Sequence, residues 1–186
     1  MDGFSRRAFM AGAIGATMFA AGCGNGIGSD GASSIDARVD QTIFALERQS
    51  PDVADLRAKA VGELVMPLIT EAGFGLGGSY GRGALRINGT TVDYYSASQA
   101  SFGLQIGGQQ YSHVLLFMTQ DSLQDFRTSA GWVAGADLEY ALNDGGENLS
   151  TDTTVLDNPV IPIIFGQAGL LAGATIEGTK YTRIIP

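Results

Sequence analysis

Ala72-Gly-Phe-Gly-Leu-Gly-Gly-Ser-Tyr-Gly-Arg-Gly-Ala-Leu85 sets glycine at 73, 75, 77, 78, 81 and 83 and threads Phe74, Leu76, Tyr80 and Leu85 between them. A helix is excluded, because each interior glycine costs about 0.8–1 kcal/mol relative to alanine. The stretch is also too apolar for a disordered linker. What remains is a strand whose small positions let another backbone come close, or let a sheet bend sharply. Phe102-Gly-Leu-Gln-Ile-Gly-Gly108 repeats the pattern, and Phe165-Gly-Gln-Ala-Gly-Leu-Leu-Ala-Gly173 repeats it more loosely. Aromatic-glycine strands of this kind predict a tightly curved antiparallel sheet or partial barrel. Their spacing is too irregular for a solenoid, whose repeats keep a fixed period.

On the N-terminal side, Ile35, Val39, Ile43 and Leu46 form the apolar stripe of an amphipathic helix, with Ser34 as the expected N-cap. Ser50-Pro51-Asp52 restarts the helix, and Val53, Leu56, Ala60 and Leu64 continue the stripe, with the helix ending at about Val61. Both helices are expected to cover one side of the sheet. Glu63–Thr70 is expected as a short edge strand interrupted by Pro67. After the glycine stretch, Asn88-Gly89 separates two strand-like runs, the strongest short hairpin signal, because both residues tolerate φ > 0. Ser101–Gly108 and Tyr111–Met118 suggest a further strand or pair, and Asp121-Ser-Leu-Gln124 a capping box opening a helix to about Ser129. Gly131–Val133 leads towards a strand near Ala136–Leu142, and Glu177–Ile185 closes the chain as a strand. Pro159–Ile176 carries no charge, but Pro162, Gly166, Gln167, Gly169 and Gly173 argue for two buried strands and a turn over a membrane-spanning helix.

The chain has 186 residues, 45% hydrophobic and 16% charged, which suits one folded domain with a sizeable core. Its 27 glycines are about twice the usual share of roughly 7%, and they lie in apolar segments, so they belong to folded structure. A formal charge of −8 argues against nucleic acid and against simple adhesion to anionic lipid. The single cysteine, Cys23, rules out an intramolecular disulfide.

The first residues read as an address. Arg6-Arg7 opens an uncharged run from Ala8 to Gly22. At about 15 residues it is too short to span a bilayer, but it suits a signal peptide. Ser5-Arg6-Arg7-Ala8-Phe9-Met10 resembles a bacterial twin-arginine export signal. Ala20-Ala21-Gly22-Cys23 resembles a lipoprotein box, departing at Ala20, where leucine is commoner. The alternative is an ordinary signal peptide followed by a plain cysteine. The Gly- and Ser-rich tract Gly24–Ser34 suits a flexible tether behind an acylated Cys23. Cleavage would leave a still more acidic chain, since Arg6 and Arg7 depart with one acid, Asp2. Acyl chains would hold it on a membrane despite that charge.

Several constellations imitate chemistry. Gly77-Gly-Ser79-Tyr-Gly81 fits a nucleophile elbow, and Asp93 and His113 follow in hydrolase order. That elbow needs a strand, a sharp turn and a helix, whereas Ser79 lies in glycine-rich strand sequence. Gly73, Gly75 and Gly78 fit a dinucleotide fingerprint but open no helix. Asp144, Glu147 and Asp152 lack the regular ligand alternation of a calcium loop. His113, beside Tyr111, suits a hydrogen-bonded sheet residue. No catalytic residue, metal or cofactor is therefore expected. Arg82, Arg86, Lys180 and Arg183 are the cations on expected strands. They would form a patch for a phosphate if their strands adjoin, and scattered surface charges otherwise.

Ala72–Leu85, Tyr94-Tyr-Ser96, Ala100-Ser-Phe-Gly-Leu-Gln-Ile-Gly107, Leu116-Phe-Met-Thr119 and Phe165-Gly-Gln-Ala-Gly-Leu170 together resemble the bacterial branch of the SYLF domain, also called the Las17-binding or actin-regulator domain. The resemblance runs from about Arg48 to Pro186. It implies a lipid-binding module: eukaryotic members bind phosphoinositides and are tied to actin organisation, while bacterial members are often envelope lipoproteins of undefined role. Family sequences often carry a lysine just before Ala-Gly-Phe, where this chain has Glu71, so that position supplies no headgroup contact. A bacterial envelope contains no actin, so only lipid binding carries across.

The expected protein is thus α+β, with N-terminal helices packed on a strongly bent, mostly antiparallel Gly-rich β-sheet or partial barrel. Residues 1–22 form a signal peptide, 23–34 a tether and 35–186 the domain. Its expected role is non-enzymatic: a lipoprotein of the cell envelope facing the periplasm, held to membrane lipid by acylated Cys23 and binding phospholipid headgroups through Arg82, Arg86, Lys180 and Arg183. The competing expectation is a structural or protein-interaction lipoprotein without a small ligand.

Overall fold

One hairpin supplies most of the sheet. Strand β1 (Gly62–Ile87) turns at Asn88-Gly89 and returns as β2 (Thr90–Phe117), antiparallel to it from Gly62↔Phe117 to Ile87↔Thr90. Asn88 and Gly89 have φ of 51° and 75°, the paired left-handed conformation of a tight two-residue hairpin turn. The structure is a computed structural model and describes residues 29–135, 141–142, 158–169 and 175–186. Arg6, Arg7, Cys23, the first half of the tether, most of the 136–142 strand and the acidic tip with Asp144, Glu147 and Asp152 lie outside the described residues.

Before the hairpin come α1 (Gly31–Gln49) and α2 (Asp52–Lys59); after it comes α3 (Gln120–Thr128). Four shorter strands follow: β3 (Trp132–Val133), β4 (Ala141–Leu142), β5 (Val160–Gly169) and β6 (Lys180–Ile184). Among the described residues the sheet is six-stranded, with β2 at its centre. Along the β2 edge away from β1, β6 pairs with Tyr94–Ser98 and β5 with Gln109–Phe117. Strand β3 extends the sheet from β6, and β4 joins β5 in parallel. The α+β, strongly bent, mostly antiparallel expectation is met.

Three register shifts shape the hairpin, the third lying between Leu85 and Arg86 near the turn. The β1–β2 register shifts between Met66 and Ile69, where Pro67 has no N–H to give the ladder. The Ser112 hydroxyl donates to the Pro67 carbonyl at 2.7 Å, which gives that carbonyl a partner inside the irregularity. The second shift lies between Phe74 and Leu76, whose partners jump from Ile106 to Phe102, and it marks the corner of the sheet. Past the corner the hairpin curls until the two ends of β1 meet. A Cβ at Gly83 would land on the Val65 carbonyl oxygen, and one at Gly81 on that of Leu68. The dense glycines therefore serve both anticipated purposes, the bend and the close approach of backbones.

Curling puts Leu64, Met66 and Leu85 into one inner core with Tyr95, Tyr111, Leu115, Phe117, Ile164 and Tyr181. Alternate residues face outward. Val65, Ala84, Val114, Leu116 and Ile163 pack there beneath Ile35, Val39 and Leu46 of α1 and Val53 of α2. Helix α3 inserts Phe126 into the inner core, with ring centroids 4.7 Å from Tyr95, 4.9 Å from Phe117 and 5.5 Å from Trp132.

Several expected boundaries move. Helix α1 begins at Gly31 and not after Ser34, because Ser29 Oγ accepts from the Gly31 N–H at 3.1 Å and donates to the Pro186 carbonyl at 3.0 Å. Ser29 thus joins the start of the helix to Pro186. The cap of α3 is Thr119, whose hydroxyl accepts from the Ser122 N–H at 3.2 Å; Asp121 falls in the first turn instead. Glu63–Thr70 merges with the glycine stretch, and Ser101–Met118 with the strand before it, into the two long strands. Val160–Gly169 is one continuous strand, so the turn expected in that run does not fall within it.

Candidate functional site

The four cations expected from the sequence are distributed over both faces of the sheet. Register places Arg82 opposite Ser96 and Ser96 opposite Thr182, whereas Gly83, Tyr95 and Arg183 line up on the other face. Arg82 lines a shallow hollow of about 170 Å³ with Ser34, Arg38, Pro67, Leu68 and Tyr80. Leu68 is 40% and Tyr80 54% exposed, so apolar and cationic groups share this rim. The rim adjoins the first turns of α1, where the tether enters the domain at Ser29.

Arg86 is held elsewhere. Its Nη1 lies 2.7 Å from Asp40 of α1, and its Nε is buried without a hydrogen-bond partner among the described residues. It lines a separate hollow of about 370 Å³ with Arg57, Glu63 and Asn88. There Arg57 bonds both oxygens of Glu63, at 2.6 and 2.7 Å, and also pairs with Glu47. Donating hydrogen bonds to Glu63 raises the Arg57 pKa above its ordinary value despite partial burial. Two carboxylates, with Asp40 nearby, leave this hollow no excess positive charge for an anion. Lys180 stands across from Ser98 and runs its stem past Gly131.

Arg183 has a different neighbourhood. Its Nε donates to Asp93 Oδ1 at 2.8 Å, and its Nη2 contacts the same oxygen. Arg127 of α3 approaches the other oxygen, with Nε and Nη2 each 3.2 Å from Oδ2. The Asp93 side chain is 8% exposed, against 56% for Arg183 and 39% for Arg127. Hydrogen bonding to Asp93 holds the Arg183 pKa above its ordinary value. Arg127 was not anticipated: no local pattern links positions 93, 127 and 183, which β2, α3 and β6 bring together.

The residues in hydrolase order are each engaged otherwise. Ser79 sits inside β1 opposite Gln99, and its hydroxyl reaches Gln99 Oε1 at 3.5 Å. No turn or helix follows it, so the elbow geometry is not formed. His113 is fully buried, 2.8 Å from the Tyr181 hydroxyl, and burial lowers its pKa to about 3. Glu71 is buried and accepts from Gln109 Nε2 at 2.7 Å, consistent with a position that offers no surface contact. Among the described residues, no cluster of His, Cys, Asp and Glu could hold a metal, and no helix is long and apolar enough to cross a membrane.

Residues 98–183 match the family model described as Ysc84, Las17-binding protein actin regulator. The match begins inside β2 and takes in α3, β5 and most of β6, hence Arg127, Lys180 and Arg183, but leaves out Ala72–Leu85. No curated protein matches the chain.

Proposed function

From the premise that this chain carries the Las17-binding, or SYLF, domain, we propose that it is an envelope lipoprotein, acylated at Cys23, whose domain contacts phospholipid headgroups without catalysing a reaction. The supporting observation is the rim formed by Arg38, Leu68, Tyr80 and Arg82, which combines exposed apolar surface with two guanidiniums. An aromatic ring with a polar tip and neighbouring arginines suit the boundary between headgroups and acyl chains. The rim also lies beside the point where the tether enters. The chain from Cys23 to Ser29 reaches about 20 Å at full extension, so an acylated Cys23 would keep this face close to the bilayer.

Two experiments test the reading. Cys23→Ala should move the protein out of membrane fractions, and continued retention would refute the anchor. The full chain carrying Cys23→Ala should float with anionic liposomes and lose flotation when Arg38 and Arg82 are both changed to Gln. A structural or protein-interaction role is the second reading, favoured by the ion pairing of Arg86 with Asp40. Absence of flotation with any lipid composition would select it.

A further inference from the structure

The cavity between α3 and β6 has an unbalanced charge. It measures about 390 Å³ and is lined by Ile87, Gln120, Leu123, Gln124, Arg127, Thr128 and Arg183. The α3 residues among these recur at three- and four-residue steps, so they form one face of the helix. Asp121 and Asp125 lie on an adjoining face and do not line the cavity. Among the described residues, two guanidiniums therefore share one carboxylate, Asp93, leaving a surplus of one positive charge at this mouth in a chain of net charge −8.

Geometry makes that surplus usable. Asp93 is buried and grips both arginines from beneath, which fixes their planes while their heads stay half-exposed. Each guanidinium carries five N–H donors, and Asp93 engages two nitrogens of each. Planar forks suit bidentate binding of a phosphate oxyanion. The amides of Gln120 and Gln124 on the same helix face add neutral donors around the cavity. The inner wall, Leu123 and Ile87, is apolar, so an ester's carbon chain could lie against it while its phosphate meets the arginines.

We propose that the α3–β6 cavity is a phosphate-ester site in which Arg127 and Arg183 bind the oxyanion and Asp93 positions both. The proposal rests on this cavity and not on the anchored reading above, since Arg82 and its rim occupy the other face of the sheet. The phosphate could belong to a lipid headgroup or to a free ester, and the test separates these sources.

The full chain carrying Cys23→Ala is titrated with inorganic phosphate, with glycerol 3-phosphate and with phosphatidylcholine vesicles containing phosphatidic acid, following amide and guanidinium NMR signals. Saturable binding should perturb Arg127 and Arg183. It should weaken about tenfold in Arg127→Gln and in Arg183→Gln, the loss expected for one charge-assisted hydrogen-bonding group. Arg127→Lys, which keeps the charge but loses the fork, should recover only part of the affinity. Asp93→Asn should tighten binding provided circular dichroism shows an intact fold; the single arginine variants test the site if it does not. Binding of the soluble esters identifies a free ligand, and binding of vesicles alone identifies a headgroup. No saturable binding of any probe, or binding unchanged in both arginine variants, overturns the proposal. Flotation that depends on Arg38 and Arg82 but not on Arg127 or Arg183, with no soluble ester bound, would overturn it while leaving the membrane reading intact.

Discussion

Tyr181 Oη and His113 Nε2 lie 2.8 Å apart inside the inner core, joining β6 to the half of β2 that lies beyond the corner. Residues 113 and 181 belong to parts of the sheet that meet only because the hairpin curls. His113 pairs in register with Met66 on β1 and Ile164 on β5, while Tyr181 pairs with Ala97 and Trp132. The bond therefore ties the two halves of the bent sheet across the core. The second imidazole nitrogen, Nδ1, is buried without a partner among the described residues, so protonating the ring brings a charge into apolar surroundings.

This gives acid sensitivity a definite sign. With a folded pKa of about 3 and an ordinary value of 6.5, His113 binds a proton in the unfolded chain first. Its contribution is constant above the unfolded value and is lost progressively as pH falls from about 6.5 towards 3, at roughly 1.4 kcal/mol per pH unit. Urea unfolding at a series of pH values should show His113→Phe with a shallower acid decline than the parent. Identical slopes would remove His113 as the cause. Tyr181→Phe should lower stability by about 1–3 kcal/mol at neutral pH by leaving a second ring nitrogen unsatisfied.

The β1 seam should tolerate no side chain. Gly83→Ala sets a methyl against the Val65 carbonyl and the Met66 sulfur, both held by the ladder and the core. A loss of at least about 3 kcal/mol is expected, at the upper end for overpacking. Gly89→Ala, where nothing lies within 4 Å but φ is +75°, should cost only about 1 kcal/mol. Thermal melts of the two variants compare steric closure directly with backbone strain.

Helix α3 carries Phe126 and Arg127 and begins at Thr119. Thr119→Ala should destabilise by about 1 kcal/mol through loss of its bond to the Ser122 N–H. Asp121→Ala should have a smaller effect, limited to the charge at the first turn. Equal losses, measured by chemical denaturation, would return the cap to Asp121.

Arg57 connects α2 to Glu63 at the start of β1 and to Glu47 at the end of α1. Arg57→Met should cost about 3 kcal/mol, because Glu63 is then left buried without its cation. Arg57→Met combined with Glu63→Gln should recover part of that loss, and a double-mutant cycle by denaturation checks the coupling.

Local patterns were legible wherever a property repeats or turns within a few residues. The stripe Ile35–Val39–Leu46 is buried under its predicted helix, and Asn88-Gly89 forms the predicted turn. The glycines at 81 and 83 meet backbone, as their density suggested. Helix period and the left-handed turn are properties of neighbouring residues, so composition and spacing suffice to reveal them. The start of α1 was not visible, because its Ser29 bond is made to Pro186 at the other end of the chain. Nor was the grouping of Asp93, Arg127 and Arg183, which needs three elements in fixed register. That register is the β2–β6 pairing, which sets Tyr95 opposite Arg183, beside the β1–β2 shift between Leu85 and Arg86. A one-residue slip there would send every following side chain to the opposite face. Which charges meet is thus a property of the closed sheet, whereas that the sheet must bend is written in its glycines.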